Sequence, residues 1–307
     1  MQALIDAIAK MALPTDAQRV FHGRGGLFPG CEHLALDAYP PVLLLTSFEP
    51  LDDEALATIG AALAARWREI AAADEPLNWV YQCRQEGGRT ETRLMAGSVP
   101  EPHVVTEAGT RYVVHLLRGQ NHGLFLDMAE GRRWVREHVQ PGAKVLNLFA
   151  YTCAFSVVAL QAGAAEVVNV DMASGALATG RTNHELNGVK AGARFLAHDI
   201  FNSWGKLTRE GPYDLVICDP PSFQKGSFVA TKDYARLAKR LPALLAPGGA
   251  ALLCLNTPKL TLDFLRNVVA ENAPELEFVG RVANPAAFAD MSPDRGLKVL
   301  AYRAVGR

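Results

Sequence analysis

The sequence predicts an α/β fold in which a parallel, doubly wound sheet follows a smaller N-terminal α+β domain. From residue 142 onward, short runs rich in Val, Leu and Ile alternate with helix-length segments that close on glycine. Strict alternation of strand and helix is typical of a parallel sheet with helices on both faces. Residues 1–120 lack this alternation. We therefore expect two domains, an α+β accessory domain at 1–120 and a sheet domain at 121–307.

Each predicted element follows from its local pattern. The strands predicted in the second domain are 144–150, 165–171, 193–199, 213–219 and 249–256. The helices predicted between them are 153–164, 173–188 and 233–249, each closing on Gly or Pro-Gly. In the first domain, strands are predicted at 40–48 and 110–117, and a long helix at 52–73 has acidic residues in its first turn. Asp6 and Lys10 make the N-terminus an amphipathic helix, neither signal peptide nor membrane span.

The composition excludes several classes of protein. With 49% hydrophobic and 21% charged residues, the chain can bury a large core and is not disordered. Its five cysteines are odd in number and form no CxxC, which argues against a disulfide framework or a zinc site and favours a cytoplasmic location.

The charge differs between the two halves of the chain. Residues 1–120 have 10 Lys and Arg and 15 Asp and Glu, whereas residues 121–307 have 21 Lys and Arg and 17 Asp and Glu. The second half is mildly basic, which permits a nucleic-acid partner without requiring one.

The carboxyl ends of the predicted strands are where a doubly wound sheet binds its ligand. The first strand leads into NLFAYTCAFS (147–156), which is no GxGxxG but has small residues that permit a tight turn with ligand-facing N–H groups. Asp171 ends the second strand, where a carboxylate suits the two hydroxyls of a ribose. Asp199 ends the third, where it can meet an adenine edge. An ordinary connection for the turn, and helix capping for both acids, remain open.

The fourth strand ends in the motif DPPSF (219–223). Consecutive prolines cannot continue a sheet or a helix, so they fix the carbonyl groups beside Asp219. Phe223 offers a ring on which a flat base can stack. An acid, rigid acceptors and a stacking surface together suit a planar heterocycle that carries N–H groups. The alternative is a proline-rich loop entry, which leaves the acid unexplained.

These motifs resemble class I S-adenosylmethionine-dependent methyltransferases, which have a Rossmann-like sheet. More narrowly, the chain is similar to the bacterial large-subunit 23S rRNA methyltransferases that make 5-methylcytosine or 7-methylguanine. The matching segments are 123–133, 147–156, 167–189, 214–223 and 244–256, with a weaker match at 19–30. The resemblance implies S-adenosyl-L-methionine as cofactor and RNA as partner; from the cysteine pattern we expect no metal, and no membrane partner is expected. It implies cofactor contacts from the turn, a ribose role for Asp171, an adenine role for Asp199, methyl transfer beside Asp219, and a closing segment at Phe125 to Asp127.

The predicted site residues fall into two groups. The predicted cofactor-binding residues are Phe125, Asp127, Asn147, Phe149, Ala150, Tyr151, Thr152, Asp171, Met172, Asp199, Ile200 and Asp219. The predicted catalytic residues are Asp219, Pro220, Phe223 and Asn256.

Three features depart from the family pattern. Cys153 stands where a glycine is usual, and Ala129 stands where FLDxR has its arginine, with Arg132 and Arg133 one helical turn further on. About 18 residues precede the shared region, so we expect no N-terminal RNA-binding domain of the kind found in many cytosine-modifying members. The cysteine can change how closely the backbone approaches the cofactor, and either arginine is a candidate replacement for the missing one.

Asn256 is the clue to the methylated atom. Carbon-5 of cytosine needs a cysteine thiolate to add at carbon-6 first. Cysteine-dependent relatives place that residue in a Ser-Cys-Ser pattern just beyond the fifth strand, where this chain has Asn256. Cys254 lies two residues earlier and is expected to be structural, and Cys218 should point away from Asp219. We therefore favour a purine nitrogen, such as guanine N7, with carbon-5 methylation through Cys254 as the alternative.

The RNA contacts are predicted from charge and aromatic residues. Lys225, Lys232, Phe228 and Tyr234 follow DPPSF and suit a phosphate-bearing, stackable substrate, although a solvated loop explains them equally well. In the first domain, His22 and Arg24 of the segment FHGRGG are candidate RNA contacts, and the alternative is that they belong to a glycine turn. A small-molecule or protein methyltransferase, and a cofactor-fold module without catalysis, remain competing hypotheses. A nicotinamide dehydrogenase is disfavoured because the glycine fingerprint is missing.

Overall fold

The computed structural model describes residues 1–85, 87, 89–221, 223–224 and 228–305, with the backbone alone at 223 and 224. The chain divides into two compact units. The first unit comprises Met1–Leu126 and Pro285–Ser292, and the second comprises Asp127–Asn284 and Pro293–Arg307. The segment 285–292 therefore belongs with the first unit although strands of the second unit flank it in the sequence. Within the described residues, no helix is long and apolar enough to cross a membrane.

The first unit is built on a five-stranded sheet. Its strands are β1 (Gln18–His22), β2 (Leu34–Tyr39), β3 (Val42–Ser47), β4 (Asn78–Arg84) and β5 (Thr90–Ala96), in that spatial order, and a separate hairpin is formed by β6 (His103–Glu107) and β7 (Thr110–Val114). Its helices are α1 (Gln2–Lys10) and α2 (Asp53–Ile70). β3 and β4 are parallel, with α2 as their crossover, and the other neighbours are antiparallel. Asp52 caps α2 by accepting a 2.7 Å hydrogen bond from the backbone N–H of Ala55.

The second unit is built on a seven-stranded sheet. Its strands are β8 (Lys144–Leu148), β9 (Glu166–Asp171), β10 (Ala193–Ala197), β11 (Tyr213–Cys218), β14 (Leu245–Leu255), β15 (Leu276–Val282) and β16 (Lys298–Ala304); two-residue strands β12 (Phe223–Gln224) and β13 (Phe228–Val229) pair outside it. The spatial order is β10-β9-β8-β11-β14-β16-β15. The first five of these are parallel, whereas β16 is antiparallel to both neighbours.

Helices cover both faces of this sheet. They are α3 (Ala129–His138), α4 (Ala154–Gln161), α5 (Ser174–Leu186), α6 (Trp204–Glu210), α7 (Ala230–Ala238), α8 (Leu241–Leu244) and α9 (Leu262–Asn272). Two buried clusters result from alternate residues of the same strands. Val216 and Leu253 belong to one cluster, whereas Leu215 and Leu252 belong to the other. Because successive side chains of a strand point to opposite faces, each central strand contributes to both cores.

The predicted fold class is confirmed, with two local corrections. The segment predicted as one helix at 233–249 contains the end of α7, then α8, and then the first residues of β14. Pro242 lies in the first turn of α8, because its ring suits a helix start and cannot be accommodated within a continuing helix. Most strands of the first unit were not predicted. In β4, Gln82 is buried, and its amide donates hydrogen bonds to Thr92 and to the carbonyl of Gly119. A buried polar residue interrupts the alternation of apolar and polar residues from which a strand is predicted.

Candidate active site

The turn after β8 and the tip of β11 lie side by side because these two strands are neighbours in the sheet. Leu148 pairs with Cys218 in parallel register, so both strands end at the same level. From β8 the chain runs outward to β9 and then β10 on one side, and to β11 on the other. This reversal of strand order opens a crevice at the carboxyl ends of the strands. The predicted turn and the DPPSF motif therefore meet at the place where this architecture binds ligands.

The turn itself has a constrained backbone. Phe149, Tyr151 and Cys153 have φ values of 58°, 47° and 60°, in the left-handed region that residues other than glycine rarely adopt. Each such residue costs on the order of 1–2 kcal/mol, so neighbouring groups must hold the turn in this shape. The backbone N–H of Cys153 donates a 2.7 Å hydrogen bond to the carbonyl of Ala150, which closes the turn before α4 begins. Left-handed residues clustered in this way are typical of functional loops.

Asp171 is one of the groups that hold the turn. Its Oδ2 accepts a 2.8 Å hydrogen bond from the backbone N–H of Tyr151, and its Oδ1 accepts one of 2.8 Å from that of Ala173. The side chain is not the N-cap of α5, which is Ala173. A carboxylate has about four acceptor positions, so two remain for the hydroxyls of a ribose. Met172, beside it, is 55% exposed at the same strand end.

Cys153, the departure from glycine, is accommodated by helix α5. A Cβ atom placed on Gly180 would lie 2.6 Å from the Sγ of Cys153, so the sulfur occupies space that only a glycine leaves open. The side chain is buried and adjacent to α5. Burial raises the pKa of the Cys153 thiol, and the Asp171 carboxylate raises it further. A thiol held neutral in this way is a packing group.

Asp199 acts as a cap in the structure. Its Oδ1 accepts a 2.8 Å hydrogen bond from the backbone N–H of Phe201, and its Oδ2 accepts one of 2.7 Å from Asn202 Nδ2. These bonds order the 3₁₀ turn at Ile200–Asn202, whose first residue is buried. The capping alternative therefore explains the carboxylate. Its adenine role stays a prediction.

At the tip of β11, Asp219 lies among other titratable groups. Burial raises the pKa of Asp219 to about 7, and the charge of Asp127 raises it further, whereas Arg132 and the Cys254 side chain oppose the rise. Arg132 is only 3% exposed, on α3, whereas Arg133 is exposed and pairs with Glu130 at 2.6 Å. Of the two candidate replacements for the missing arginine, Arg132 is therefore the one that acts on the Asp219 carboxylate. A carboxyl with a pKa near neutrality changes charge within the working range of an enzyme.

Cys254 is a neutral, buried neighbour of Asp219. Its side chain is 0% exposed, and its carbonyl accepts a hydrogen bond from the Tyr234 hydroxyl. Burial raises the pKa of the Cys254 thiol well above its usual value, and the charge of Asp219 raises it further. Cys218 lies in the buried cluster on the opposite face of the sheet, as its position before Asp219 predicted. A thiol beside a carboxylate is held in its protonated form.

The other predicted residues are placed as follows. Pro220 is buried, Asn256 is exposed directly after β14, and Phe223 is described by its backbone only, in β12. Phe125 belongs to the first unit and is 43% exposed. Asn147 is buried, and its Nδ2 donates a 2.9 Å hydrogen bond to Asn169 Oδ1, so its amide is engaged within the sheet domain.

The predicted RNA-contacting aromatics require correction. Phe228 and Tyr234 are buried core residues whose rings meet edge to face at 5.5 Å, so they are not a surface on which a substrate can stack. Lys232 is exposed on α7, and Lys225 lies outside the described residues. In the first unit, the Arg24 guanidinium lies over the Phe48 ring at 3.7 Å, and burial, with help from Arg19, lowers the pKa of His22 to about 4. His22 and Arg24 stay candidate contacts.

Several residues of the site were missed by sequence reasoning. Asn183 on α5 donates a 3.0 Å hydrogen bond from Nδ2 to the carbonyl of Thr152, within the turn. His184, Ser156 and Asn169 form a buried hydrogen-bonded group behind it. The signal that could have found Asn183 and His184 is their spacing of three and four residues from Gly180, which puts all three on one face of the helix.

Comparison with known proteins agrees with this geometry. Residues 18–303 match the family described as S-adenosylmethionine-dependent methyltransferase. Ribosomal RNA large subunit methyltransferase I of Aeromonas salmonicida is 34% identical over 199 residues, which are 62% of this chain and 49% of the relative. Ribosomal RNA large subunit methyltransferase K/L of Psychrobacter sp. is 36% identical over 61% of this chain and 24% of its own length. The chain thus spans about half or less of these curated relatives.

The solved structures show the same fold. The crystal structure of SMU.776 complexed with SAH is similar, with a TM-score of 0.82 and 24% identity, over 99% of this chain and 81% of its own. The family match covers nearly the whole chain and includes every described residue of the turn and of the DPPSF tip. The chain therefore belongs to the S-adenosylmethionine-dependent methyltransferase family.

Proposed function

We propose that this protein transfers a methyl group from S-adenosyl-L-methionine to a base of 23S ribosomal RNA, at a purine nitrogen such as guanine N7. The names of the relatives from Aeromonas and Psychrobacter support the RNA substrate. In bacteria, from which these relatives come, ribosomal RNA is made and modified in the cytoplasm, which agrees with the predicted location.

The residues around the turn suit the cofactor. Asp171 has acceptor positions left for the ribose hydroxyls, and the turn from Phe149 to Thr152 would lie beside the methionine part. Met172 and Ile200 would flank the adenosine, with Asp127 and Asp219 towards the methyl-transfer edge. When bound, the cofactor supplies an electrophilic methyl group on a sulfonium. What the protein must then do is hold a nucleophilic lone pair in line with that methyl group and keep water away.

The observation that carries the nitrogen assignment is the state of Cys254. Methylation of cytosine carbon-5 needs a thiolate that reaches carbon-6 of the base. The Cys254 thiol is fully buried and protonated beside the Asp219 carboxylate, which is the reverse of an activated nucleophile. The exposed residue at the end of β14 is Asn256, whose amide can donate to a purine oxygen. A ring nitrogen with an exposed lone pair needs neither a thiolate nor a general base.

The charge around Asp219 suits a product that is cationic. Methylation of guanine at N7 leaves a positive charge on the purine, with no proton to remove. Asp219 and Asp127 are carboxylates close enough for each to act on the other's charge, and Arg132 balances one of them. When Asp219 is ionised, these three groups carry two negative charges and one positive charge, which would stabilise a developing cation in a site of low dielectric constant.

The test is to identify the modified nucleoside. We would incubate the purified protein with S-adenosylmethionine carrying an isotopically labelled methyl group and 23S rRNA from cells that lack the gene. Mass spectrometry of the digested RNA should show labelled 7-methylguanosine, and an Asp219→Asn protein should show much less. The same nucleoside should be missing from rRNA of the deletion strain and present in the parent.

The competing functions are outcomes of the same experiment. Labelled 5-methylcytidine would overturn the nitrogen assignment and make Cys254 the residue to mutate next. Binding of S-adenosylhomocysteine without label in any nucleoside would overturn the RNA assignment, and label found instead in a protein or a small molecule of a cell extract would identify that class of substrate. Binding without any methyl transfer would favour a module that keeps the cofactor fold without catalysis.

A further inference from the structure

Helix α5 has three residues at helical spacing on one face: Gly180 and Asn183 contact the turn after β8, and His184 contacts the first turn of α4. All three are buried, and each has a separate contact. Gly180 receives the Sγ of Cys153, which lies 2.6 Å from the position that a Cβ would take. Asn183 Nδ2 donates a 3.0 Å hydrogen bond to the carbonyl of Thr152. Two consecutive residues of the strained turn are thus held from the same helix face.

His184 joins this face to the strands through a chain of buried hydrogen bonds. The imidazole Nε2 lies 2.9 Å from Ser156 Oγ, in the first turn of α4. Ser156 Oγ accepts a 2.9 Å bond from Asn169 Nδ2 in β9, and Asn169 Oδ1 accepts one of 2.9 Å from Asn147 Nδ2 in β8. Asn147 lies two residues before the turn, and Ser156 lies three residues after Cys153, so the chain spans both ends of the turn.

The hydrogen bonds of this chain have one consistent direction. His184 Nδ1 lies 2.6 Å from the carbonyl of Gly180, which can only accept, so Nδ1 carries the proton. Nε2 is then the acceptor, and the Ser156 hydroxyl donates to it. Burial lowers the pKa of His184, which agrees with a neutral ring. A buried polar network in which every member has a partner specifies one arrangement of the elements it joins.

We propose that Gly180, Asn183 and His184 are positioning residues that fix the shape of the cofactor-binding turn, with Asn147, Asn169 and Ser156 setting the register of α5 against the sheet. The Cys153 and Gly180 pair leaves no room for a side chain at position 180, because the Cys153 sulfur fills the space that the glycine leaves. The inference rests on the proposed function for the location of the cofactor, but not for the identity of the RNA base.

The first experiment is a double-mutant cycle on the Cys153 and Gly180 pair. Alanine is a better helix former than glycine, so Gly180→Ala should favour α5 locally while its Cβ displaces the Cys153 sulfur. We expect the affinity for S-adenosylhomocysteine, measured by calorimetry, to fall about tenfold or more in Gly180→Ala. In a Cys153→Gly background the same Gly180→Ala change should cost less than about threefold, because the sulfur is gone and glycine accepts the left-handed conformation. Equal losses in both backgrounds would refute the pairing.

The second experiment tests the hydrogen-bonded chain with a matched control. Ser156→Ala leaves His184 Nε2 without its donor, whereas Tyr213→Phe removes a buried hydrogen bond to the carbonyl of Leu207 away from the turn. Both changes should lower the unfolding temperature by similar amounts. Ser156→Ala alone should speed amide hydrogen exchange at 149–153 and weaken S-adenosylhomocysteine binding. Wild-type affinity and exchange in a folded Ser156→Ala protein would show that the network is structural only.

These outcomes are separable from failure of the proposed function. All of the readouts use S-adenosylhomocysteine and the protein, and none uses RNA. If the wild-type protein binds S-adenosylhomocysteine but methylates no ribosomal base, the RNA proposal fails and the cycle still tests the turn. If the variants bind like the wild type, the positioning role fails whichever nucleoside the protein modifies.

Discussion

The backbone N–H of Tyr151 donates a 2.8 Å hydrogen bond to Asp171 Oδ2, so the carboxylate at the end of β9 holds the turn that follows β8. An amide at position 171 has one oxygen and cannot accept from Tyr151, Ala173 and a ribose together. We expect Asp171→Asn to weaken S-adenosylhomocysteine binding by about tenfold or more, measured by calorimetry, because a bond to a charged acceptor is lost.

The matched control for this prediction is Asp214→Asn. Asp214 Oδ2 also accepts a 2.8 Å hydrogen bond from a backbone N–H, that of Lys144, at the other end of β8. Its amide variant should lose a similar amount of stability and keep the wild-type affinity. Equal affinity in both variants would remove Asp171 from the cofactor site.

Arg132 and Arg133 provide a paired test of the charge beside Asp219. Because the Asp219 carboxyl has a pKa of about 7, it is ionised above that pH, and the methylation rate should fall as the pH drops below it. Arg132→Gln removes a cation that favours the ionised form, so the acidic limb of the rate profile should move upward by about one pH unit. Arg133→Gln removes exposed ion pairs with Glu130 and Glu137 and should leave the limb in place.

The measurement is the initial rate of methyl transfer to rRNA as a function of pH for the two variants and the wild type. A displacement of the acidic limb in both variants would mean that the limb depends on the overall charge of the protein and not on the Asp219 carboxyl in particular. An unmoved limb in Arg132→Gln would show that Asp219 does not set it.

Asp219→Asn should make the protein more stable and less active. The folded-state pKa of about 7 is higher than the ordinary value of 3.8, so the folded protein binds this proton more tightly than the unfolded chain. The ionised carboxylate therefore costs stability at high pH, on the order of 2–4 kcal/mol, and this cost falls as the pH drops from 7 towards 3.8. Urea unfolding should find Asp219→Asn more stable than the wild type above neutrality, by a margin that shrinks in acid. A constant margin would contradict the raised pKa.

Cys254→Ala separates the two routes of methylation. A nucleophilic cysteine is indispensable, whereas a packing cysteine can be replaced at a cost in stability of about 1–2 kcal/mol. We expect Cys254→Ala to keep methylation within about tenfold of the wild type. Cys218→Ala, also fully buried but on the opposite face of the sheet, is the control. Loss of all activity in Cys254→Ala alone would favour carbon-5 chemistry.

Much of the second unit could be predicted because each part depends on nearby residues. The apolar run before Asp219 predicts β11, which ends at Cys218, and the acids at the strand ends follow from the period of a parallel sheet. The first unit was harder to predict, since its strands carry buried polar residues such as Gln82 and its segment 285–292 comes from a distant part of the chain. Contacts between segments that are far apart in the sequence cannot be predicted from local residue patterns.

The sequence by itself determined the alternating fold, the turn at 147–156 and the carboxylates at the tips of β9 and β11, because strand period and residue type are local properties. Only the tertiary structure decided that Asp199 is a cap, that Phe228 and Tyr234 belong to the core, and that Arg132 acts on Asp219. It also decided that Gly180 makes room for Cys153. The physical reason is that burial, charge and packing depend on which residues meet in space. Arg132 and Asp219, like Cys153 and Gly180, lie far apart along the chain.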